Sequence, residues 1–189
     1  MGPDPCPCPF VRVPRGRNPF LTLANMRSPM ALQRAEAAPE RTYESIDPAV
    51  AHASRDAATL RRILLDERLR MWERYRALFA LRALGTPEAV EAIGRCMLTD
   101  DSALLRHECA FVFGQMALEQ SIPWLERAVA SDEHAMVRHE ACEALGAIAN
   151  DDCVAILRHY QVKDSAVEVR ESCEVALDNI AYLRDPARF

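Results

Sequence analysis

The sequence predicts an all-α repeat solenoid of about four helical hairpins, preceded by a disordered, proline-rich segment. An arginine recurs every 32 residues, at positions 74, 106, 138 and 170, and a fixed period of this size is typical of repeat architectures. The 189 residues include only six glycines and few β-branched runs, which favours helix over strand. Apolar residues recur at helical spacing from residue 54 onward.

The beginning of the chain differs in composition from the rest. Residues 1–42 hold eight of the twelve prolines, and proline at this density prevents regular helix. We therefore predict that residues 1–42 are disordered or precede the true start of the protein. Residues 43–53 are predicted to be a linker, residues 54–183 the repeat domain, and residues 184–189 a tail.

Capping signals place the helices of the first two hairpins. Apolar spacing predicts a helix that includes Leu60 and Leu64, followed by a turn at 66–67 and a second helix over 71–84 that Gly85 ends. Thr86 is the predicted N-cap of the next helix, with Pro87 at its first position. The apolar stripe of this helix is Ala89, Val90, Ile93 and Met97. A turn at 100–102 then precedes a helix over 104–117 that ends after residues 114–115.

The last two hairpins repeat the same pattern, with helices predicted over 121–129, 136–149, 151–160 and 167–183. Each hairpin can bury its apolar faces fully only against its neighbours, so the hairpins are expected to stack. The second helices then form one curved layer. The recurring arginine stands near the start of each second helix, where we expect it to bind an acidic group in the neighbouring turn.

Composition and charge exclude several classes of protein. Half of the residues are hydrophobic, which allows a sizeable core, yet no apolar run reaches the roughly 18 residues that would span a membrane. Residues 36–189 carry 18 basic and 27 acidic groups, a balance of −9, which argues against a nucleic-acid surface and for a basic partner. The seven cysteines lie mostly in helical patterns and favour buried, reduced thiols in a cytoplasmic protein.

Two pairs of residues carry the chemistry. His107-Glu108 and His139-Glu140 follow the recurring arginine in the two central repeats. Equivalent positions of adjacent helices lie roughly 10 Å apart, so two imidazoles can reach one metal ion. Neighbouring residues on a helix point about 100° apart, so one pair can offer its imidazole and its carboxylate to different ions. Two histidines with a carboxylate suit non-haem iron; the alternative is that these residues belong to the repeat consensus and bind nothing.

Several stretches resemble one known family. They are LLDE at 64–67, ERYRALFALR at 73–82, DSALLRHE at 101–108, MVRHE at 136–140 with EALGAI at 143–148, and VRESCEVAL at 169–177. Together they resemble the HEAT-like repeats of the deoxyhypusine hydroxylase (deoxyhypusine monooxygenase) family over about residues 43–183. The resemblance implies a HEAT-like solenoid that uses a non-haem di-iron centre (Fe²⁺) and oxygen to hydroxylate the deoxyhypusine side chain of a translation factor to hypusine.

The resemblance also implies roles for the two pairs. His107, Glu108 and His139 are expected to bind iron, and Glu140 to bind iron or to hold the cationic amine of the substrate. The family has two halves of four repeats, and residues 54–183 resemble the carboxyl-terminal half alone. Either the sequence is a truncated gene product, or two copies form a homodimer that completes the site, or catalysis has been lost.

Two rival functions remain at this point. The first is a non-catalytic HEAT-type scaffold, because stacked repeats make extended surfaces for binding other proteins. The second is a helical-repeat lyase that attaches a chromophore to protein, which shares the repeat but gives no reason for two His-Glu pairs in register. No membrane or nucleic acid is expected among the partners.

Overall fold

The structure, a computed structural model, describes residues 47–188, and these residues form eight α-helices and no strand. The predictions for residues 1–42 and for the beginning of the linker lie outside this range. The helices are α1 (Ala57–Leu64), α2 (Met71–Leu84), α3 (Pro87–Thr99), α4 (Ala103–Met116), α5 (Ile122–Ser131), α6 (Ala135–Ile148), α7 (Asp151–Lys163) and α8 (Val167–Arg184). Two short 3₁₀ turns cover Glu119–Ser121 and Pro186–Arg188.

The eight helices pack as four hairpins in two layers. Helices α2, α4, α6 and α8 lie side by side in one layer, and α1, α3, α5 and α7 form the other. The core lies between the layers and includes the fully buried side chains Leu60, Phe79, Ile93, Leu105, Phe113, Leu125, Leu145 and Leu157. The predicted all-α repeat solenoid is therefore confirmed. Among the described helices, none is long and apolar enough to cross a membrane.

The helix ends follow the predicted local signals. The side chain of Thr86 accepts a hydrogen bond from the Ala89 N–H at the start of α3, where Pro87 occupies the first position. Gly85 ends α2 with a φ of 63°. At the equivalent ends of α4 and α6, Ala117 and Ala149 adopt the same left-handed conformation, with φ values of 48° and 60°. Helix α4 ends at Met116. This is one residue after 114–115 and one residue before 117, the two positions named for its predicted end.

The recurring arginines join each hairpin to the next. Arg106 donates from Nε and Nη2 to the carboxylate of Asp132, at 2.7 and 3.0 Å, and Arg138 donates likewise to Asp164, at 2.8 and 2.9 Å. The backbone carbonyl of Asp132 accepts in turn from Arg138 Nη1 at 2.8 Å. We call this chain of contacts the arginine–aspartate ladder, and its members are Arg74, Asp100, Arg106, Asp132, Arg138, Asp164 and Arg170. The acidic partner expected in the neighbouring turn is confirmed for Arg74, Arg106 and Arg138. Arg170 instead donates to the backbone carbonyls of Asp164 and Ser165.

The part of the predicted linker that the structure describes is non-helical and is held against α2. Arg82 donates to the carboxylate of Asp47 at 3.0 and 2.6 Å. Arg76 Nε donates to the carbonyl of Val50 at 3.0 Å, and the carbonyl of Arg76 accepts from the His52 N–H at 2.8 Å. Helix α2, which lacks a His-Glu pair, therefore anchors the segment that precedes the repeats.

Two glycines allow close approach of neighbouring helices in the layer that α2, α4, α6 and α8 form. A Cβ placed on Gly146 of α6 would lie 2.7 Å from the Cβ and 3.1 Å from the Cα of Ala176 on α8. A Cβ placed on Gly114 of α4 would lie 3.1 Å from the Cα and 3.3 Å from the Cβ of Ala144 on α6. Because both neighbours are backbone or Cβ atoms, neither can move aside without shifting its helix.

Gly146→Ala is therefore expected to destabilise the protein, by about 1–3 kcal/mol as is usual for overpacking, although alanine favours helix more than glycine does. The quantity to measure is the free energy of unfolding in urea. Gly114→Ala serves as the matched variant and should cost less, since its closest contact is longer. Equal stability of Gly146→Ala and the wild type would contradict the close approach of α6 and α8.

Candidate metal site

The predicted site residues lie near the beginnings of two adjacent helices. His107 and Glu108 are in the second turn of α4, and His139 and Glu140 are in the second turn of α6. The ladder arginines that directly precede the two histidines fix the starts of these helices. Because α4 and α6 pack side by side, the side chains of one pair can reach those of the next.

His107 reaches the pair on the neighbouring helix instead of its own glutamate. Its Nε2 lies 3.1 Å from Oε2 of Glu140, and this hydrogen bond raises the pKa of His107. Within the described chain, the buried Nδ1 of His107 has no hydrogen-bond partner. Only Nε2 is therefore accessible to an ion, and an ion would have to replace the contact between His107 and Glu140.

His139 makes a different set of contacts. Its Nδ1 lies 2.5 Å from the hydroxyl oxygen of Ser172 on α8. Its Nε2, on the other side of the ring, lies 3.7 Å from Oε1 of Glu143, which is one turn later on α6. The ring thus has a fixed partner on one edge, and its other edge faces a carboxylate that is half exposed to solvent.

Three side chains of α6 form a possible metal-binding group. His139, Glu140 and Glu143 each offer one ligand atom, and these atoms all lie within 4.8 Å of one another; no other group of three was found in the part of the chain that is described. Ions bind imidazole nitrogen and carboxylate oxygen at about 2.0–2.2 Å, so small side-chain rotations would bring the three atoms around one ion. The group offers one imidazole and two carboxylates, and the imidazole of His107 contacts one of these carboxylates, that of Glu140. Such a set of nitrogen and oxygen ligands fits iron.

The sequence interpretation missed Glu143. It stands four residues after His139, and residues at this spacing lie on the same face of a helix. That spacing is the signal that would have identified it. At the equivalent position of the preceding repeat the residue is Phe111, so the second carboxylate is not part of the repeat pattern.

Glu108 lies outside the three-residue group. It is half buried, and burial raises its pKa, while the charges of Glu140 and His107 act on it in opposite directions. The structure therefore brings together His139 and Glu140 of the four predicted residues and places His107 in contact with Glu140. Binding of an ion by any of the four predicted residues stays a prediction.

Exposed apolar side chains border the histidine positions. Trp72, Leu104 and Met136 are 50, 54 and 44% exposed, and they occur at the 32-residue spacing of the repeat. Leu104 and Met136 stand three residues before the two site histidines, on the same face of their helices. We call these three residues the apolar strip. The sequence signal for the apolar strip was a large apolar residue in the first turn of α2, α4 and α6, at a position that is usually exposed.

Comparison with known proteins agrees with this fold. The HEAT-repeat family matches residues 95–178, and the PBS lyase HEAT-like repeat matches residues 73–99. The chain is similar to deoxyhypusine hydroxylase of Danio rerio, with 50% identity over 150 residues, and to that of Gallus gallus, with 46% identity over 144 residues. These alignments cover 79 and 76% of this chain but only 49 and 48% of the relatives.

A solved structure gives the same result. Human deoxyhypusine hydroxylase, in a complex with glycerol, matches with a TM-score of 0.71 and 45% sequence identity, over 81% of this chain and 52% of that one. The resemblance predicted from the sequence is therefore confirmed. The chain spans about half the length of these relatives.

Proposed function

We propose that this chain, a HEAT-repeat protein similar to the deoxyhypusine hydroxylases over most of its length, binds iron and takes part in hydroxylating deoxyhypusine. Its substrate would be the deoxyhypusine side chain of a translation factor, which becomes hypusine. One observation carries the proposal: in a chain with these relatives, the atoms of His139, Glu140 and Glu143 lie within 4.8 Å of one another. His107 contacts the same Glu140 at 3.1 Å.

The proposed ligands are His107, Glu108, His139 and Glu140, with Glu143 as a further carboxylate. Iron, when bound, would supply the activation of molecular oxygen. The carboxylate of Glu140 is central, because one of its oxygens accepts from His107 while the other remains for an ion or for the substrate. The Nε2 of His107 must release both Glu140 and the proton it donates to Glu140 before it can bind an ion, so iron binding is expected to displace that proton from Nε2.

Recognition of the substrate is proposed to use negative charge. The deoxyhypusine side chain carries cationic amines, and the second oxygen of Glu140 would hold one of them. Glu143 is 53% exposed and adds a carboxylate at the surface beside it. The acidic balance of residues 36–189 favours approach of a cationic group, and the apolar strip offers a surface for the protein that bears it.

The ligand set of this chain is proposed to be completed by a second copy. The His-Glu pairs lie near the surface of one layer of helices, where a second set of ligands can face them. A homodimer would then hold a di-iron centre between two such layers. Sedimentation of the iron-loaded chain tests this step: a dimer is expected, and a monomer that retains iron would contradict it.

The experiment that tests the function is anaerobic loading with ferrous iron, removal of the excess, and measurement of iron per chain. About one iron per chain is expected. The loaded protein is then given oxygen, a reductant and the deoxyhypusine-bearing factor, whose mass should increase by one oxygen atom. A chain that retains no iron would contradict the proposal.

A protein-binding scaffold is the alternative function, and the apolar strip is the observation that favours it. Under that function, replacing Leu104 and Met136 by serine would weaken partner binding while the histidines would be dispensable. Under the proposed function, the histidines are required.

We propose that the protein is located in the cytoplasm, because its five described cysteines are buried thiols, as is usual in a reducing compartment.

A further inference from the structure

Ser172 connects the candidate metal site to the last repeat. It lies on α8, is 7% exposed, and occupies the position of the repeat that Glu140 occupies on α6. Its hydroxyl lies 2.5 Å from Nδ1 of His139 and 2.7 Å from the backbone carbonyl of Glu168. The carbonyl of Glu168 is fixed in the backbone of α8, so the hydroxyl has a defined direction for its single proton.

The hydrogen bonds of Ser172 determine which nitrogen of His139 carries a proton. A carbonyl oxygen can only accept, so the Ser172 hydroxyl donates its proton to Glu168. The hydroxyl oxygen must then accept from His139, which requires a proton on Nδ1. A neutral imidazole has one N–H, so Nε2 keeps its lone pair. That nitrogen is the one that faces Glu143, at 3.7 Å.

We propose that Ser172 is a positioning residue that holds His139 in the Nδ1–H form and so presents Nε2 to the metal ion. This inference rests on the proposed function. Histidine ligands of metals commonly donate their second N–H to a neighbouring acceptor, which fixes the orientation of the ring. Here the acceptor is a hydroxyl from the next repeat, so α8 contributes to a site whose ligands lie on α4 and α6.

The tautomer is tested first, in the metal-free protein. The protein is labelled with ¹⁵N-histidine and studied by long-range ¹H–¹⁵N NMR at a pH where imidazole is neutral; His139→Gln identifies the signals. In the wild type we expect the Nδ1–H form of His139. In Ser172→Ala we expect the Nε2–H form that free imidazole prefers, and in Ser172→Thr, which keeps the hydroxyl, the Nδ1–H form again.

Metal affinity is the second readout. Loss of a residue that hydrogen-bonds a metal-binding histidine typically weakens metal binding by about 10- to 100-fold. Ser172→Ala should therefore bind Fe²⁺ more weakly by this factor. Ser172→Thr should bind Fe²⁺ like the wild type. Ser131→Ala is the matched control, because the Ser131 hydroxyl also donates to the carbonyl four residues earlier, at 2.8 Å, but lies outside the proposed site. Its affinity for Fe²⁺ should equal that of the wild type.

The outcomes separate the inference from the function. An Nε2–H form in the wild type overturns the inference, as does a Ser172→Ala variant that binds Fe²⁺ like the wild type. A wild type that has the Nδ1–H form but binds no Fe²⁺ overturns the proposed function and the metal-presenting role together, and leaves only the tautomer assignment. Circular dichroism of each variant confirms that the helices are retained.

Discussion

Asp132→Ala is expected to lower the free energy of unfolding by about 3–5 kcal/mol, the usual cost of removing one partner of a buried ion pair. The Asp132 carboxylate accepts two hydrogen bonds from Arg106 and one from the His134 N–H, at 2.9 Å. The side chains of Arg106 and Asp132 are only 8 and 5% exposed. The variant would leave the Arg106 guanidinium, which stays charged at any working pH, buried without its carboxylate.

Urea denaturation of the two variants Asp132→Ala and Glu133→Ala measures this effect. Glu133 is the adjacent acid and lies 3.8 Å from the same arginine, but its side chain is 79% exposed. A solvent-exposed ion pair contributes about 0–1 kcal/mol, so Glu133→Ala should be close to the wild type. Since whole domains are stable by only about 5–15 kcal/mol, the loss in Asp132→Ala should be large enough to impair folding. If Asp132→Ala lowered the free energy of unfolding as little as Glu133→Ala does, the ladder would contribute little to stability.

Replacing both His107 and His139 by alanine is expected to abolish retention of iron and to leave the fold intact. The two rings are the imidazoles available to the candidate site, and a carboxylate set without imidazole suits harder ions than iron. Both rings are partly exposed, at 24 and 34%, and neither belongs to the ladder. The measurement is iron per chain after anaerobic loading, with circular dichroism as the test of the fold.

The two single variants, His139→Ala and His107→Ala, are expected to lose different amounts of iron. His139→Ala removes the imidazole of the three-ligand group and should lose iron almost completely. His107→Ala leaves that group in place and removes a residue whose Nε2 contacts Glu140, so it should weaken retention less. The control is the double replacement of His134 and His159, two exposed histidines that belong to neither pair, which should retain iron fully. A control that loses as much iron as His107/His139→Ala would mean that binding is nonspecific.

The positions of the helices were predictable because their signals are local. The bounds of α2 were predicted from apolar spacing and from Gly85, and the start of α3 from Thr86 and Pro87, since caps act within one turn of a helix. The repeat of 32 residues predicted the stacking, because equivalent surfaces must meet in every hairpin. It also predicted that each recurring arginine would find an acid in the next turn.

The sequence by itself determined the solenoid, the ladder and the two His-Glu pairs that face one surface. Only the tertiary structure decided which atoms meet there. Each histidine contacts the residue 33 positions later, Glu140 for His107 and Ser172 for His139, and the two rings use different nitrogens. The physical reason is that these contacts depend on the distance and stagger between packed helices, which close approaches such as Gly146 against Ala176 set, and not on the turn of any single helix.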